Sequence, residues 1–327
     1  MKKKSNKKIR LAVIMGSASS EHEVSLATGR EVLKNLDRKK YIPRSIVISK
    51  KNRWFIGKAW FSPSKALRGV DVVFNAMHGE YGEDGRAQKL FEFYGVPYTG
   101  SGVEASVLGM NKFASRKIFA ARGLITPKTL CFTKKEYLAG KKVVKAKILK
   151  TYKNGLCVIK PVSCGSSVGV SVVNNPQKIE AGLRLAFALD SGVLVEEYLN
   201  GRELTVPVLE KKRGKPKALP VIEIRPRKGN FFDYKEKYSA GGAEEIVPAR
   251  LSKGEREKVV MAALVAHKAL ECRGYSRADF ILVKGVPYIL EINTLPGLTS
   301  NSLFPKSAKK AGIAFSKLLD ILVASAL

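Results

Sequence analysis

The sequence predicts an α/β protein whose chain begins with a parallel sheet, and two patterns support this fold class. Ile9–Met15 is a continuous apolar run, typical of a strand buried on both faces of a parallel sheet. After it, strand-like apolar segments alternate with segments of helical periodicity, as in proteins built around a parallel sheet. In such a fold the functional loops follow the carboxyl ends of the strands, where the glycine-rich segment 78–85 is expected to lie.

The first third of the chain contains the clearest alternation of strand and helix. A Ser-x-x-Glu capping box at Ser20–Glu23 predicts the start of the first helix. Leu26, Leu33 and Leu36 form the apolar face of that helix. The next elements are expected to be strands at Ile46–Ile48 and Val70–Phe74 and a helix at Gly85–Tyr94.

From about Val103 the pattern changes to short strands and a few longer helices. The basic stretch Lys134–Lys153 holds eight lysines and one acid and is interpreted as solvent-exposed helix and turn. Lys228–Pro248 combines glycines, aromatic residues and charges without periodicity, which is typical of a long functional loop. The remaining elements are expected to be helices at Asn111–Ala121, Gly254–Cys272 and Ala314–Ala324, and strands at Leu156–Lys160, Val168–Val173, Val193–Glu197, Leu204–Leu209, Leu219–Ile224, Phe280–Val283 and Tyr288–Ile292.

The composition excludes several classes of protein and has one unusual feature, the net charge. The 327 residues include 59 Lys+Arg and 28 Asp+Glu, a formal net charge of +31. A hydrophobic content of 45% is typical of a globular protein and excludes a disordered basic chain. No apolar run approaches the ~18–20 residues of a membrane span, so no membrane insertion is expected. The charge alone suggests nucleic acid or an anionic membrane as partner, but no nucleic-acid-binding motif is recognisable, and specific nucleic-acid binding is only a remote alternative.

Two features indicate a cytoplasmic location. The basic segment Met1–Arg10 is followed by the short apolar run Leu11–Met15, whereas a signal peptide needs about 7–15 apolar residues. The four cysteines show neither a Cys-x-x-Cys pair nor metal-ligand spacing, as expected in a reducing compartment.

One glycine-rich segment is a candidate phosphate-binding site. In Lys160–Gly169 two glycines allow the backbone to approach a ligand, Ser166 and Ser167 add hydroxyl donors, and Lys160 supplies a positive charge. An ordinary Gly/Ser hairpin is the alternative. The chain has no Gly-x-x-x-x-Gly-Lys-Ser/Thr motif, which excludes a P-loop. Gly100–Ala105 matches Gly-x-Gly-x-x-Ala, but no acid follows about 20 residues later, so we interpret it as a domain junction.

A second candidate site comes from the hairpin predicted around Gly285. Arg277 and Asp279 begin one strand and Glu291 and Asn293 end the next, and residues two apart on a strand share a face. Carboxylate and amide oxygens suit Mg²⁺ that carries nucleotide phosphates, and an arginine there can stabilise a phosphoryl group or an oxyanion. A salt bridge between Arg277 and Glu291 is the alternative, but the apolar surroundings make acids without a ligand costly.

With these residues the chain resembles the D-alanine–D-alanine ligase family of the ATP-grasp superfamily over nearly its whole length. The final motif, Glu291–Leu303, is long and specific. The resemblance implies a Rossmann-like N-terminal domain with a parallel sheet (1–103), followed by a two-subdomain ATP-grasp fold (104–196 and 197–327). The matching segments are Glu21–Leu26, His78–Gly79, Gly82–Gly85, Pro97–Gly102, Lys112, Lys160, Gly165–Gly169, Glu196–Leu199, Lys237–Tyr238, Asp279 and Glu291–Leu303.

The resemblance implies the ATP-dependent joining of two D-alanine molecules through a D-alanyl phosphate, with release of ADP and phosphate, for peptidoglycan precursor synthesis. Asp279, Glu291 and Asn293 are expected to hold two Mg²⁺ or Mn²⁺ ions. The residues expected to bind ATP are Lys112, Lys160, Gly165, Ser166, Ser167, Val168, Glu196, Glu197, Leu199, Glu203 and Lys237.

The resemblance also implies roles for residues around the two amino acids. Glu21 is expected to bind the ammonium group of the first D-alanine, and His78 is a further substrate-binding residue. Arg277 and the amide of Gly297 are expected to stabilise the oxyanion. The carboxylate of the second D-alanine is expected to contact Lys237, Ser302 and the amide of Leu303.

Tyr238 bears on the identity of the second substrate. In the family this tyrosine forms a hydrogen-bonded set with Glu21 and Ser166, and relatives that make D-alanyl-D-lactate tend to carry histidine there. The tyrosine therefore predicts an amine nucleophile, D-alanine. The alternatives are a D-alanine–D-lactate or D-alanine–D-serine ligase, or another ATP-grasp ligase of a carboxylate and an amine. The resemblance further implies a homodimer.

Individual site residues also have plainer interpretations. Glu21 in a first helical turn can simply complement the helix dipole, a contribution of about 0.3–1 kcal/mol. Ser302 can be a helix N-cap without a ligand. His78 taken alone is more often an ordinary loop histidine, and Lys237 and Tyr238 can be surface residues of a loop.

Overall fold

The computed structural model describes residues 7–152, 155–165, 167–211, 214–226 and 243–327. The predicted site residues Ser166, Lys237 and Tyr238 therefore lie outside the described residues. The strands are β1 (Ile9–Gly16), β2 (Tyr41–Ile48), β3 (Trp54–Ile56), β4 (Ala59–Phe61), β5 (Val72–Asn75), β6 (Thr129–Thr133), β7 (Cys157–Pro161), β8 (Ser171–Val173), β9 (Gly192–Glu197), β10 (Arg202–Leu209), β11 (Lys217–Ala218), β12 (Ile222–Pro226), β13 (Ala243–Ile246), β14 (Tyr275–Val283) and β15 (Val286–Asn293).

The helices pack on three sheets formed by these strands. A short 3₁₀ turn at Pro176–Lys178 precedes one of them. The helices are α1 (His22–Asn35), α2 (Pro63–Leu67), α3 (Arg86–Phe93), α4 (Val103–Met110), α5 (Lys112–Ala121), α6 (Lys134–Ala139), α7 (Lys141–Thr151), α8 (Ile179–Leu189), α9 (Lys253–Ala269), α10 (Leu303–Lys310) and α11 (Phe315–Ala326). In the part of the chain that the structure describes, no helix is both long enough and apolar enough to cross a membrane.

The first sheet has the strand order β4–β3–β2–β1–β5 and contains the predicted parallel strands. β1 is parallel to both of its neighbours, β2 and β5. Leu11 and Val13 pack into one core and Ala12 and Ile14 into the other, because successive side chains of a strand point to opposite faces. The hairpin β3–β4, with Gly57 at φ +61°, adds two antiparallel strands that the sequence analysis did not predict.

The second sheet, β6–β9–β7–β8, is antiparallel, and α6, α7 and α8 cover one of its faces. Cys157 and Ile159 of β7 lie in the core beneath these helices. Val158 and Lys160 alternate with them and therefore point to the opposite face. The predicted basic stretch is helical, as α6 and α7, over its described part.

The third sheet, β13–β12–β10–β14–β15 with β11 beside β10, is also antiparallel. The core between this sheet and α9 includes Phe119 of α5. The β14–β15 hairpin forms as predicted, with Gly285 at φ +77°. The prediction of a loop over Lys228–Pro248 is wrong at residues 243–246, which form β13 on the sheet edge, and residues 227–242 lie outside the described residues.

The last helix of the chain returns to the first sheet. Leu318 and Leu322 of α11 share a buried core with Leu11 of β1. The Tyr41 hydroxyl of β2 also donates a hydrogen bond of 2.9 Å to Oδ1 of Asp320 in the same helix. The segment Gly100–Gly102 likewise lies close to the third sheet, since a Cβ at Gly100 would lie 3.7 Å from Cε1 of Tyr275 in β14. The division at residues 103 and 196 stays a prediction.

Candidate active site

A cleft of about 360 Å³ lies between the second and third sheets. Its walls come from β7 and β9 on one side and from β10, β12, β14 and β15 on the other. Of the residues predicted to bind ATP or metal, it is lined by Lys112, Lys160, Ser167, Glu196, Glu197, Leu199, Glu203, Asp279 and Glu291. The cleft therefore brings together most of the residues that the sequence analysis proposed separately for nucleotide and metal.

A buried ionic network forms one wall of the cleft. Lys160 Nζ lies 3.1 Å from Glu196 Oε2, and Arg116 Nη1 lies 2.5 Å from Glu196 Oε1. All three side chains are less than 10% exposed, at 9%, 4% and 4% for Lys160, Arg116 and Glu196. One carboxylate thus faces two cations, so the site retains positive charge in a place that water reaches poorly.

Burial determines the proton affinity of Lys160. It lowers the pKa of the ammonium to about 8, the nearby Glu196 carboxylate opposes this change, and Arg116 reinforces it. Since the charged form has lost its water, an anion that enters the cleft gains a strong electrostatic partner at Lys160.

Lys112 connects the glycine loop, residues 165–169, to the third sheet. Lys112 begins α5, and its Nζ donates a hydrogen bond of 2.7 Å to the carbonyl oxygen of Cys164, directly before this loop. The same atom lies 3.3 Å from Glu291 Oε2. Gly169 has φ +75°, and a Cβ there would lie 2.9 Å from the Pro161 ring, so glycine is required at this turn.

The predicted metal-binding and oxyanion residues lie together at the open end of the β14–β15 hairpin, opposite its turn. Asp279 lies opposite Glu291, and Arg277 lies opposite Asn293. Arg277 donates two hydrogen bonds to the Asp279 carboxylate, at 3.0 and 2.9 Å. Burial alone would disfavour the charge on Arg277, but Asp279 and Glu291 outweigh it and raise the pKa of the guanidinium. Arg277 therefore stays cationic at any working pH.

Asp279, Glu291 and Asn293 present oxygen donors that suit a divalent cation. Thr205 of β10 donates a hydrogen bond of 2.5 Å to Asp279 Oδ1, and Asn293 Oδ1 accepts one of 2.8 Å from the Leu295 amide, so both side chains are held in place. Among the described residues no cluster of three or more His, Cys, Asp or Glu could hold a metal ion alone. Two carboxylates and an amide fit an ion such as Mg²⁺ that takes further oxygens from phosphates.

The cleft is also lined by Glu197, Tyr198 and Leu199. The Glu197 amide donates to the Lys128 carbonyl at 3.0 Å, and Glu197 Oε1 accepts from the Lys128 amide at 2.7 Å. This pair of bonds holds the strand end rigidly beside the cleft. Glu203 of β10 lines the same cleft.

Glu21 lies near the glycine loop, although the two are far apart in the sequence. A Cβ at Gly165 would lie 3.5 Å from Glu21 Oε2, and one at Gly79 would lie 2.8 Å from it. Gly79 also has φ +68°, so a side chain there would be strained and would collide with Glu21. The predicted first-substrate residue thus adjoins the predicted phosphate loop.

His78, Gly297 and Ser302 form a neighbouring cluster. A Cβ at Gly297 would lie 3.0 Å from Ser302 Oγ and 3.9 Å from His78 Cε1. His78 is nearly buried, with Nε2 2.9 Å from Thr28 Oγ1 and Nδ1 3.3 Å from Glu83 Oε1. Gly297 follows the end of β15 by four residues, so this cluster lies just beyond the hairpin.

Two capping predictions are resolved by the structure. The capping box at Ser20 is wrong: α1 begins at His22 with Glu21 as its N-cap and without a side-chain capping bond. The Glu21 amide donates to Ser19 Oγ at 3.0 Å instead, in a turn before the helix. Ser302 is the N-cap residue of α10, but its side chain makes no capping bond and accepts a hydrogen bond from the Thr299 amide at 3.1 Å.

Sequence reasoning missed four residues that hold the site residues in place: Arg116, Thr205, Thr28 and Glu83. A signal existed for Arg116, because it lies four residues after Lys112 on one helix face. Glu83 lies inside a matching motif without an assigned role. The positions of Thr28 and Thr205 depend on pairing between distant segments, and nothing local in the sequence marks them.

Comparison with known proteins identifies the family. The family model described as D-ala D-ala ligase C-terminus matches residues 118–324, and D-ala D-ala ligase N-terminus matches residues 10–68 and 58–101. The chain belongs to the D-alanine–D-alanine ligase family. It is an ATP-dependent ligase with the ATP-grasp fold, as the resemblance implied.

Relatives of known name agree over almost the full length. The D-alanine–D-alanine ligase of Clostridium beijerinckii is 40% identical over 323 residues, 98% of this chain and 99% of the relative. A crystal structure of the Bacillus anthracis D-alanine–D-alanine ligase complexed with ATP is 36% identical with a TM-score of 0.79, covering 98% and 97% of the two chains. A D-Ala:D-Ser ligase from Enterococcus faecalis is 31% identical with a TM-score of 0.83, covering 98% and 100%.

Proposed function

We propose that this protein joins two D-alanine molecules into D-alanyl-D-alanine at the expense of ATP, as a step in peptidoglycan precursor synthesis. The observation that carries the proposal is that Glu21 lies beside the glycine loop, while Arg277 and the His78–Gly297–Ser302 cluster lie on and just beyond the β14–β15 hairpin, which lines the cleft. A carboxylate for an ammonium group and a guanidinium for an oxyanion thus lie beside a nucleotide-sized cleft. The presence of Glu21, Arg277 and the His78–Gly297–Ser302 cluster argues against the activity of another ATP-grasp ligase.

The reaction has two steps. The carboxylate of the first D-alanine attacks the γ-phosphorus of ATP, and the bond to the β-phosphate oxygen breaks, giving D-alanyl phosphate and ADP. The amine of the second D-alanine then attacks the acyl carbon and loses a proton, and phosphate leaves from the tetrahedral intermediate. Such transfers depend mainly on positioning and on charge stabilisation.

We propose the following binding residues, most of which line the cleft. Lys112 and Lys160 bind the phosphates, with Gly165, Ser167 and Val168 of the glycine loop over them; Ser166 is proposed for the same role. Glu196, Glu197 and Leu199 hold the base, and Glu203 the ribose. Asp279, Glu291 and Asn293 hold two Mg²⁺ or Mn²⁺ ions, whose chemistry is to neutralise charge on the phosphates. Their oxygen donors on one hairpin face support this assignment.

The proposed substrate residues lie near the glycine loop and just beyond the β14–β15 hairpin. Glu21 binds the first ammonium group, and Arg277 and the Gly297 amide stabilise the oxyanion. Ser302 and the Leu303 amide bind the second carboxylate, supported by the first turn of α10, where backbone N–H groups lack partners within the helix. Lys237 and Tyr238 are proposed to complete the site.

We also propose a homodimer and a cytoplasmic location. Phe93 and Trp60, which are 79% and 61% exposed on the N-terminal part of the fold, offer apolar area for a subunit interface. All four cysteines are free, as suits a reducing compartment.

The function is tested by measuring ADP release with single amino acids and pairs. We expect release to depend on D-alanine, with D-alanyl-D-alanine as main product when D-alanine, D-serine and D-lactate are offered together near neutral pH. L-Alanine is the control for stereochemistry. ADP release independent of D-alanine would contradict the proposal, and a predominant D-alanyl-D-serine or D-alanyl-D-lactate product would contradict the choice of second substrate.

The pKa of Lys160 predicts how ATP binding depends on pH. Because the free protein loses the Lys160 charge as pH rises above about 8, the Kd for ATP should increase there, by at most about tenfold per pH unit. The Lys160→Arg variant keeps its charge and should show a flatter profile. Calorimetric titration with ATP between neutral and alkaline pH measures both. An equal pH dependence in the two proteins would rule out Lys160 as its source.

The lowered pKa of Lys160 also makes the free energy of unfolding depend on pH. The pKa of about 8 in the folded protein lies below the ordinary lysine value of 10.5, so burial of the charged form costs stability below pH 8. That cost diminishes as pH rises from about 8 to 10.5, because the unfolded chain then binds the proton more strongly than the folded one.

A further inference from the structure

Helices α6 and α7 carry a strongly basic surface that the catalytic site does not use. Residues 134–150 hold seven lysines, no arginine and one acid. Six of these lysines are exposed, and together with the exposed apolar residues among them we call this surface the basic face: Lys134, Lys135, Leu138, Lys141, Lys142, Val143, Lys147, Leu149 and Lys150.

Hydrogen bonds from Thr133 and the charge of Lys147 lower the pKa of Glu136, so the one acid in this segment offsets only one of the six exposed lysines. Glu136 is committed to a capping box, in which its Oε2 accepts hydrogen bonds from the Thr133 amide at 2.7 Å and from Thr133 Oγ1 at 2.8 Å. Across the residues that the structure describes, no lysine of the basic face lies in an ion pair. Lys141 and Lys145 are four residues apart on α7, a spacing at which like charges repel. An anionic surface would relieve this repulsion.

The basic face lies behind the second sheet, away from the cleft. Tyr137, Val144 and Ile148 of its helices pack into the core with Ile159 of β7. Lys160, the next residue on β7, points to the other face and lines the cleft. A partner bound to the basic face therefore leaves the entrance for nucleotide and amino acids open.

Exposed apolar side chains distinguish the kind of partner. Val143 and Leu138 are 71% and 61% exposed, and Val143 adjoins Lys147 and Lys150 by helical spacing. Lysine stems and aliphatic tips at one surface are typical of helices that lie in a lipid interface. Proteins that bind single-stranded nucleic acids instead stack the bases on exposed aromatic rings, and the single aromatic residue of this segment, Tyr137, is buried.

We propose that the basic face docks the protein reversibly on membrane surfaces rich in anionic phospholipids. The lysines bind the headgroups, and Leu138 and Val143 enter the interface. Because each lysine near such a surface strengthens binding by about fivefold, reversal of three of them should weaken it about 100-fold or more. The attraction should also fall with added salt, which screens it.

The test is sedimentation of the full chain with vesicles of phosphatidylcholine, with or without phosphatidylglycerol. We expect binding only to the vesicles that contain phosphatidylglycerol. The triple variant Lys142→Glu, Lys147→Glu, Lys150→Glu should lose it. The triple variant Lys50→Glu, Lys51→Glu, Lys58→Glu, which changes equally exposed lysines on the N-terminal part of the fold, should retain it. D-Alanine-dependent ADP release, unchanged in both, shows that both are folded.

A second pair of measurements separates lipid from nucleic acid. The variant Leu138→Ser, Val143→Ser should bind the anionic vesicles more weakly and leave any attraction to duplex DNA unchanged. Three results would overturn the proposal: no binding to phosphatidylglycerol vesicles, an equal loss in the two triple variants, or duplex DNA bound more tightly than vesicles with no effect of the serine substitutions.

Discussion

Replacement of Arg277 by alanine is expected to lower the D-alanine-dependent kcat by about 10²–10³-fold, which is the usual effect of removing one donor to an oxyanion. The guanidinium is held by two hydrogen bonds from Arg277 to Asp279 and is only 19% exposed, so its charge is fixed in direction before substrate arrives. Fixed charge in a poorly hydrated site stabilises the tetrahedral intermediate without reorganisation. Steady-state ADP release measures the loss.

Three further variants test whether a loss of kcat in Arg277→Ala is specific to the role of this guanidinium. Arg256→Ala removes an arginine from the exposed side of α9 and should leave kcat unchanged. Arg277→Lys keeps the charge but not the paired geometry, and should recover only part of the rate. Asp279→Asn tests whether the partner orients Arg277. A variant Arg277→Ala with near-normal kcat, or with only KM changed, would contradict a role in stabilising the intermediate.

Replacement of Glu196 by alanine is expected to lower the free energy of unfolding by about 3–5 kcal/mol, because it leaves two buried cations without a carboxylate. Lys160 and Arg116 both contact Glu196, and all three side chains are nearly inaccessible to water. Urea denaturation followed by circular dichroism measures the loss. Added ATP should restore part of it, because its phosphates replace the missing negative charge.

The adjacent glutamate provides a matched control. Glu197→Ala removes one hydrogen bond from the Lys128 amide at a half-buried position and should cost only about 1 kcal/mol. The double variant Glu196→Ala, Lys160→Met removes one of the unpaired cations and should regain stability relative to Glu196→Ala alone. Equal losses of unfolding free energy for Glu196→Ala and Glu197→Ala would mean that the buried network contributes no more to stability than one ordinary hydrogen bond.

The sequence predicted the fold well where a local pattern reflects burial on both sides of a strand. β1 and the β14–β15 hairpin occur where the apolar runs and Gly285 placed them. The hairpin β3–β4 was not predicted, although Trp54 and Trp60 flank a glycine turn. A strand of three residues is too short to show a recognisable alternation of apolar and polar residues. The start of α1 was placed at Ser20, but Ser19 turns the chain there instead.

The candidate site was predictable to the extent that its residues lie in motifs. Lys160, Asp279 and Glu291 were found from residue type and spacing, and they line one cleft. The residues that hold these side chains in place were not predicted, because the ion pair between Arg116 and Glu196 joins positions 80 residues apart. Such contacts depend on how sheets pack together, which local composition does not encode.

The packing of α11 on the first sheet has a consequence for biosynthesis. Leu318, Leu319 and Leu322 fill the core beside Leu11, and the ribosome makes them long after β1. The N-terminal sheet therefore keeps an uncovered apolar face during translation until α11, a helix of 12 residues, emerges. Deletion of α11 would thus damage the first sheet to be made, which lies far from α11 in the sequence.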